Sequence, residues 1–282
     1  MTQLITDKPS LASLLMQWRQ QGESSALVPT MGSIHEGHLA LIQTARTLAD
    51  HVIVTIFVNP TQFAEGEDFD SYPRALDADL AAIRDAGGAD VVFAPQGMYV
   101  PDHATTIVPA GVALDLETKH RPHFFSGVAT IVMKLFMLVP TDIAIFGEKD
   151  YQQLAVIRQM VRDLDVPVDI ISHPTVREHD GLALSSRNSY LTADQRVLAP
   201  QLYATLCDVA GNILDGNDPL SLIKTATANL LDAGFDSIDY FELRDGNSLA
   251  PVQTHNPEHR LLIAATLGET RLIDNIALGR YA

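Results

Sequence analysis

The chain has 282 residues, 46% of them hydrophobic, which is enough for a packed core, and its length suggests about two domains. A formal charge of -16 argues against a nucleic-acid-binding surface, which needs clustered Lys and Arg, and a single cysteine, Cys207, allows no internal disulfide and fits a reducing cytoplasm. The start, MTQLITDKPS, lacks the basic and apolar regions of a signal peptide, and the most apolar segment, residues 127–139, contains Lys134 and falls short of the ~20 residues of a membrane span.

In chain order, apolar runs at 25–30, 52–58 (VIVTIFV), 90–94 (DVVFA), 142–146 (DIAIF) and 167–171 (PVDII) read as buried strands. Helical spacing appears between them, near 38–49, 74–86, 126–139 and 150–163. Strands that are apolar throughout and alternate with helices predict a parallel sheet covered on both faces. The fold class is therefore α/β, a Rossmann-like doubly wound domain over residues 1–175, with ligands expected at the carboxyl ends of its strands. The pattern then changes. Thr192 and Gln195 form a capping-box signature opening a helix, a second helix follows Asp218 and Pro219, and 237–243, 260–265 and 271–276 read as strands. Residues 176–282 are thus expected to form a smaller α+β domain.

The strand ends carry the polar residues. After the first strand comes PTMGSIHEGH, residues 29–38, a glycine-bounded turn into a helix. Such a junction presents unpaired backbone N–H groups and the positive end of a helix dipole, which favour a phosphate. After VIVTIFV come Asn59, Pro60, Thr61 and Gln62, then the acidic AEGEDFDSYPR; after DIAIF come Gly147, Glu148, Lys149 and Asp150, with Gln153 one turn on; after the fifth strand comes PTVREHDGLALSSRN, residues 174–188. Singly, each has an ordinary reading. The histidine pair fits a metal half-site or a solvated turn, residues 147–150 a helix start, and residues 185–188 a serine-capped turn. Their coincidence at successive strand ends favours a site.

Nucleotidyl transfer needs such a set, because attack on the α-phosphate of ATP is catalysed by positioning and by donors that stabilise developing negative charge. His35, His38, Lys149, Ser185, Ser186 and Arg187 are donors; Arg187 can fork onto a phosphate, and Lys149 acts as a compact charge. No GxxxxGK[ST] phosphate loop is present, which argues against a kinase.

These residues resemble a known superfamily. His35-Glu36-Gly37-His38 is an HxGH motif, and Ser185-Ser186-Arg187 is similar to the KMSKS loop of adenylating enzymes that include class I aminoacyl-tRNA synthetases. The longer strings PTMGSIHEGH, FVNPTQF, FGEKDYQQL, PTVREHDGLALSSRN and RLIDN, in that order, resemble the pantoate-beta-alanine ligase (pantothenate synthetase) family from about residue 28 to 276. The resemblance implies ATP-dependent condensation of pantoate with beta-alanine through a pantoyl adenylate. It implies ATP binding by Met31, Gly32, Ser33, Ile34, His35, Glu36, Gly37 and His38, with His38 a catalytic donor beside His35, Lys149 and Arg187. It extends ATP binding to Gly147, Glu148, Lys149, Asp150, Val176, Leu184, Ser185, Ser186 and Arg187. Gln62 and Gln153 match pantoate-binding positions, Gln62 also lying at the beta-alanine site. Mg²⁺ held largely by phosphates and water, a homodimer, and a C-terminal lid domain at 176–282 are further implications. The chain departs from the family in two places. One cation, Arg187, stands where the superfamily loop has two lysines, with Lys149 a candidate second. Arg121-Pro122-His123-Phe124 stands where the family often has Arg-Pro-Gly-His, so Arg121 is expected to reach substrate or brace the neighbouring loop and His123 to point to solvent. A different HxGH nucleotidyltransferase acting on a phosphorylated precursor would need more cations than neutral Gln62 and Gln153 offer, and a sensor without turnover would not need the full donor set.

Overall fold

The computed structural model describes residues 2–64 and 66–280. The chain groups into two compact units, Met1–Glu148 with Val156–Pro174, and Lys149–Ala155 with Thr175–Ala282. The first contains strands β1 (Gln3–Ile5), β2 (Ser25–Thr30), β3 (His51–Ile56), β4 (Val91–Phe93), β5 (Ile143–Gly147) and β6 (Asp169–His173). Its helices are α1 (Lys8–Gln21), α2 (Glu36–Leu48), α3 (Leu76–Asp85), the short α4 (Glu117–His120) and α5 (Phe124–Leu138); α6 (Tyr151–Asp163) belongs to it from Val156 onward.

Among the described residues the strands form one parallel sheet in the order β1-β4-β3-β2-β5-β6. The chain leaves β2 toward β3 and β4 and then returns to β5 on the other side of β2. That reversal is a topological switch point, and it opens at the carboxyl ends of β2 and β5. Val28, Val54, Val92 and Ile145 pack with Leu41, Ile42, Leu80 and Ile83 to form one face of the core.

The sequence reading missed β1 and α1. β1 pairs with β4 through only Gln3, Leu4 and Ile5, too few residues to show a period. α1 was legible: Asp7 caps Ser10 N–H at 2.8 Å, Leu11, Leu15 and Trp18 are buried at helical spacing, and Gly22 ends the helix at φ 76°. The last strand starts at Asp169 rather than 167, because Pro167 has no N–H to give the sheet and Val168 N–H turns back to Val166 O at 2.8 Å.

The second unit contains α7 (Ala193–Leu198), α8 (Gln201–Leu214) and α9 (Pro219–Ala233), with β7 (Ser237–Asp245), β8 (His259–Leu267) and β9 (Thr270–Ala277) in an antiparallel sheet of order β7-β8-β9. Leu206, Val209, Ile213 and Leu230 cover Leu261, Ile263 and Ala265. The Thr192–Gln195 capping box is present, but its helix is short, with Pro200 standing between α7 and α8. Among the described residues no helix is long and apolar enough to cross a membrane.

Candidate active site

In the first unit, the turn from β2 into α2 is held by hydrogen bonds from the backbone N–H groups of Gly32, Ser33, Ile34, His35 and Gly37. Gly32 N–H donates to Thr30 Oγ1 at 3.1 Å, Ser33 N–H to Asp79 Oδ2 at 3.1 Å and Ile34 N–H to Asp79 Oδ1 at 2.7 Å. Gly37 N–H donates to His35 Nδ1 at 3.1 Å, and His35 N–H to His38 Nδ1 at 3.4 Å, so the two histidines form the capping box of α2 themselves. At these five positions, where open N–H groups were expected to face a phosphate, the N–H groups are taken within the protein. With both Nδ1 atoms accepting, a neutral ring carries its proton on Nε2, so each imidazole is fixed as an Nε2–H donor. The rings lie 4.1 Å apart, tilted by 30°. Gly32 is needed here: its φ is +85°, and a Cβ would meet Asp79 Oδ2 at 2.8 Å.

Gln62 ends the turn Pro60–Gln62 after β3, and its amide is oriented from both sides. Asn59 Nδ2 donates to Gln62 Oε1 at 3.0 Å, and Gln62 Nε2 reaches Met31 Sδ at 3.2 Å. Asn59 is buried; its Oδ1 accepts from Tyr99 Oη at 2.8 Å and Thr61 Oγ1 at 3.0 Å, while its Nδ2 also donates to Gly127 O at 3.3 Å. Burial pushes the Tyr99 phenol up, against a smaller opposing effect of its bond with Thr61, which keeps Tyr99 a donor. Gly127 lets α5 approach, since a Cβ there would meet Thr61 O at 2.2 Å. Asn59 and Tyr99 were not singled out from sequence; the only signal was Asn before Pro at a strand end.

Arg121 braces the acidic loop. Its Nε and Nη2 each lie 2.6 Å from a Glu67 oxygen, Nη2 donates to Gln62 O at 3.1 Å, and the guanidinium lies 3.9 Å from the centre of the Phe124 ring. His123 is exposed. Phe124 thus serves as a packing surface for Arg121. Gly147 ends β5, and Glu148 Oε1 accepts from Ser172 Oγ at 3.3 Å.

In the second unit, Lys149 Nζ lies 3.7 Å from Asp150 Oδ1, and Lys149 O accepts from Asn275 Nδ2 at 2.9 Å. Gln153 lies part-buried in the first turn of α6. Val176 and Leu184 are joined across a hairpin, Leu184 N–H donating to Val176 O at 3.0 Å. Ser185 Oγ accepts from Arg187 N–H at 3.3 Å and caps the 3-10 turn Ser186–Tyr190, so the serine-capped reading of this string describes its geometry. Arg177 forks onto Asp274 at 2.6 and 2.8 Å and packs 3.7 Å from the centre of the Tyr203 ring. Among the described residues no group of three or more His, Cys, Asp or Glu side chains is arranged to hold a metal ion, so the half-site alternative for His35 and His38 finds no third ligand.

Residues 3–277 match the family model described as "Pantoate-beta-alanine ligase". The chain is 49% identical to the pantothenate synthetase of Dinoroseobacter shibae over 282 residues, covering 99% of this chain and 100% of that protein. A crystal structure of the pantothenate synthetase of Thermus thermophilus superposes with TM-score 0.92 at 41% identity, covering 99% of both chains. The pantoate-beta-alanine ligase of Francisella tularensis, solved with beta-gamma ATP and beta-alanine, superposes with TM-score 0.83 at 33% identity, covering 99% of this chain and 98% of that one. The chain belongs to the pantoate-beta-alanine ligase family.

Proposed function

We propose that the protein condenses pantoate with beta-alanine to pantothenate in two steps, as an enzyme of coenzyme A biosynthesis. A pantoate carboxylate oxygen attacks the α-phosphorus of ATP; the bond to the β-phosphate breaks, and pyrophosphate leaves. The neutral amine of beta-alanine then attacks the acyl carbon of the adenylate, the acyl–phosphate bond breaks, AMP leaves, and the amine gives up a proton.

The observation that carries this reading is the pair of imidazoles fixed with Nε2–H as donor at the switch point of a parallel sheet. His35 and His38 would donate to phosphate oxygens as charge builds, Lys149 and Arg187 would neutralise that charge, and Ser185 and Ser186 would add hydroxyl donors. Met31, Gly32, Ser33, Ile34, Glu36, Gly37, Gly147, Glu148, Asp150, Val176 and Leu184 would shape the nucleotide's surroundings. Because the N–H groups of Gly32, Ser33 and Ile34 are taken within the protein, donation to the anion from this part of the turn is assigned to side chains. Gln62 and Gln153 would pair with pantoate's hydroxyls and carboxylate without adding charge, Gln62 also meeting beta-alanine; its fixed amide orientation supports that role.

Mg²⁺ would arrive on the ATP phosphates and neutralise part of their charge. The described residues offer it no cluster of three acidic or imidazole ligands, so it is assigned phosphates and water rather than a protein cage. A cytoplasmic homodimer completes the proposal, supported by the single cysteine and by the family resemblance. The deciding experiment is ATP–pyrophosphate isotope exchange with pantoate and without beta-alanine. Exchange is expected; ADP and phosphate as products would overturn the adenylate mechanism.

A further inference from the structure

We infer that Asp79 is a positioning residue for adenylate formation, its carboxylate clamping the turn that delivers His35 and His38. The inference rests on the reaction proposed above. Asp79 stands in the first turn of α3, 45 residues from Ile34 in sequence, and is 4% exposed. Its two oxygens take two successive amide protons, those of Ser33 and Ile34. Among the described residues it makes no ion pair with Lys, Arg or His. A carboxylate excluded from water and lacking a cation is costly unless its lone pairs are used, and here they are used by the turn and by the favourable end of the α3 dipole.

The turn needs the clamp because its backbone is unusual. Gly32 and Ser33 both have positive φ, 85° and 54°, the latter a conformation that residues with a side chain seldom adopt. The peptides on either side of Ser33 set the direction in which the chain reaches His35. His35 is the N-cap of α2, and its N–H is the donor that His38 Nδ1 accepts. Rotating those peptides would therefore break the bonds that fix both ring tautomers. A carboxylate suits the position because both of its oxygens only accept; an amide at 79 would turn an NH2 group against one of the two N–H donors.

The test is Asp79→Asn, assayed by pantoate-dependent ATP–pyrophosphate exchange and by ¹⁵N NMR of the histidine rings. In the wild type, Nδ1 of His35 and His38 is expected to be unprotonated in the neutral rings. In D79N, kcat for adenylation is expected to fall about 10- to 100-fold at saturating substrates, the size of effect that a misplacement of about 1 Å produces. KM for ATP and pantoate should stay within about threefold of wild type, and the fixed Nδ1 pattern should be lost. A D79N enzyme that melts earlier yet adenylates within about threefold of wild type, with unchanged ring signals, would make Asp79 structural only and overturn the inference. Should D79N not fold, amide hydrogen exchange on the wild type decides: Ser33 and Ile34 are expected to be protected like the β2 amides, and exchange at open-loop rates would overturn the clamp. Wild-type protein that shows no exchange with pantoate would count against the proposed reaction instead, since ring tautomers and amide protection do not depend on turnover.

Discussion

The histidine turn of the first unit and the lysine segment of the second are both held from a distance, but by opposite chemistry. Asp79, an anion, accepts from the backbone N–H groups of Ser33 and Ile34, whereas Asn275, a neutral amide 126 residues from Lys149, donates to the Lys149 carbonyl. Asp79 acts without an ionic neighbour among the described residues. Asn275 belongs to a network: its Oδ1 accepts from Arg260, its N–H donates to Asp274 Oδ1 at 2.7 Å, and Asp274 is forked by Arg177. The difference teaches that the family strings divide by task. HxGH and GEKD carry proposed donors, while RLIDN supplies groups that hold backbone and pair with a part-buried arginine. Damage to the first clamp should therefore register in catalysis, and damage to the Asp274–Arg177 pair behind the second chiefly in stability.

Asp274→Ala should show the largest effect on folding. The Asp274 side chain is 2% exposed and that of Arg177 15%, so removing the acid takes this counter-charge from a part-buried guanidinium. Breaking such a pair from one side typically costs about 3–5 kcal/mol. Urea denaturation should show that loss. A change below about 1 kcal/mol would break the comparison, because the network would then not be what holds the lysine segment.

His38→Ala and Lys149→Ala should each slow adenylate formation by roughly 10²- to 10³-fold in kcat, the usual loss for one transition-state donor. The Lys149→Ala unfolding midpoint should stay close to wild type, whereas His38→Ala also loses the Nδ1 that caps His35 N–H, so a stability loss of about 1 kcal/mol is expected there. If His38→Ala loses its unfolding transition together with its activity, the imidazole is structural. Asn275→Ala sharpens the contrast from the other side. It leaves Lys149 O and Arg260 without this partner, and a roughly tenfold loss in adenylation with a modest loss in stability is expected. Stability loss with full activity would show that the Lys149 backbone does not need the clamp.

Much of this was open to reading in the sequence, for a physical reason. Apolar runs mark buried parallel strands, and β2, β3, β4 and β5 fall within two residues of their expected ends; β6 lies two residues downstream of its run because of Pro167. The three antiparallel strands were legible in the same way. Polar residues buried by long-range contacts leave no period. Asp79 looks like one more acid on a helix, Asn59 like a loop residue, and nothing in RLIDN says that its Asp meets Arg177 or that its Asn reaches Lys149. The histidine turn failed in a more specific way: a strand-to-helix junction leaves N–H groups to be satisfied, and sequence does not tell whether a ligand or the protein's own Asp79 and imidazoles satisfy them.

The smallest expected effect is on the hairpin that carries Val176 and Leu184. Asp180 receives Arg196 Nη1 at 2.6 Å and Leu182 N–H at 3.3 Å, and these bonds, that with Arg196 first, hold its carboxyl below the usual carboxylate range despite slight desolvation. Both side chains remain partly open to water, so the pair belongs with surface ion pairs worth about 0–1 kcal/mol. The sign follows from proton binding. A carboxyl whose pKa is depressed on folding binds fewer protons in the native state, so its contribution is fully present above its unfolded value, near about 3.9, and is lost as pH falls through the lower folded value. Wild type should therefore exceed Asp180→Asn in stability by a few tenths of a kcal/mol to about 1 kcal/mol at pH 7, and the gap should close as pH drops below about 4. Raising the salt concentration at pH 7 should narrow the same gap. A gap that persists unchanged at pH 2.5, measured by urea midpoints, would mean that the Asp180 contribution is shape rather than charge.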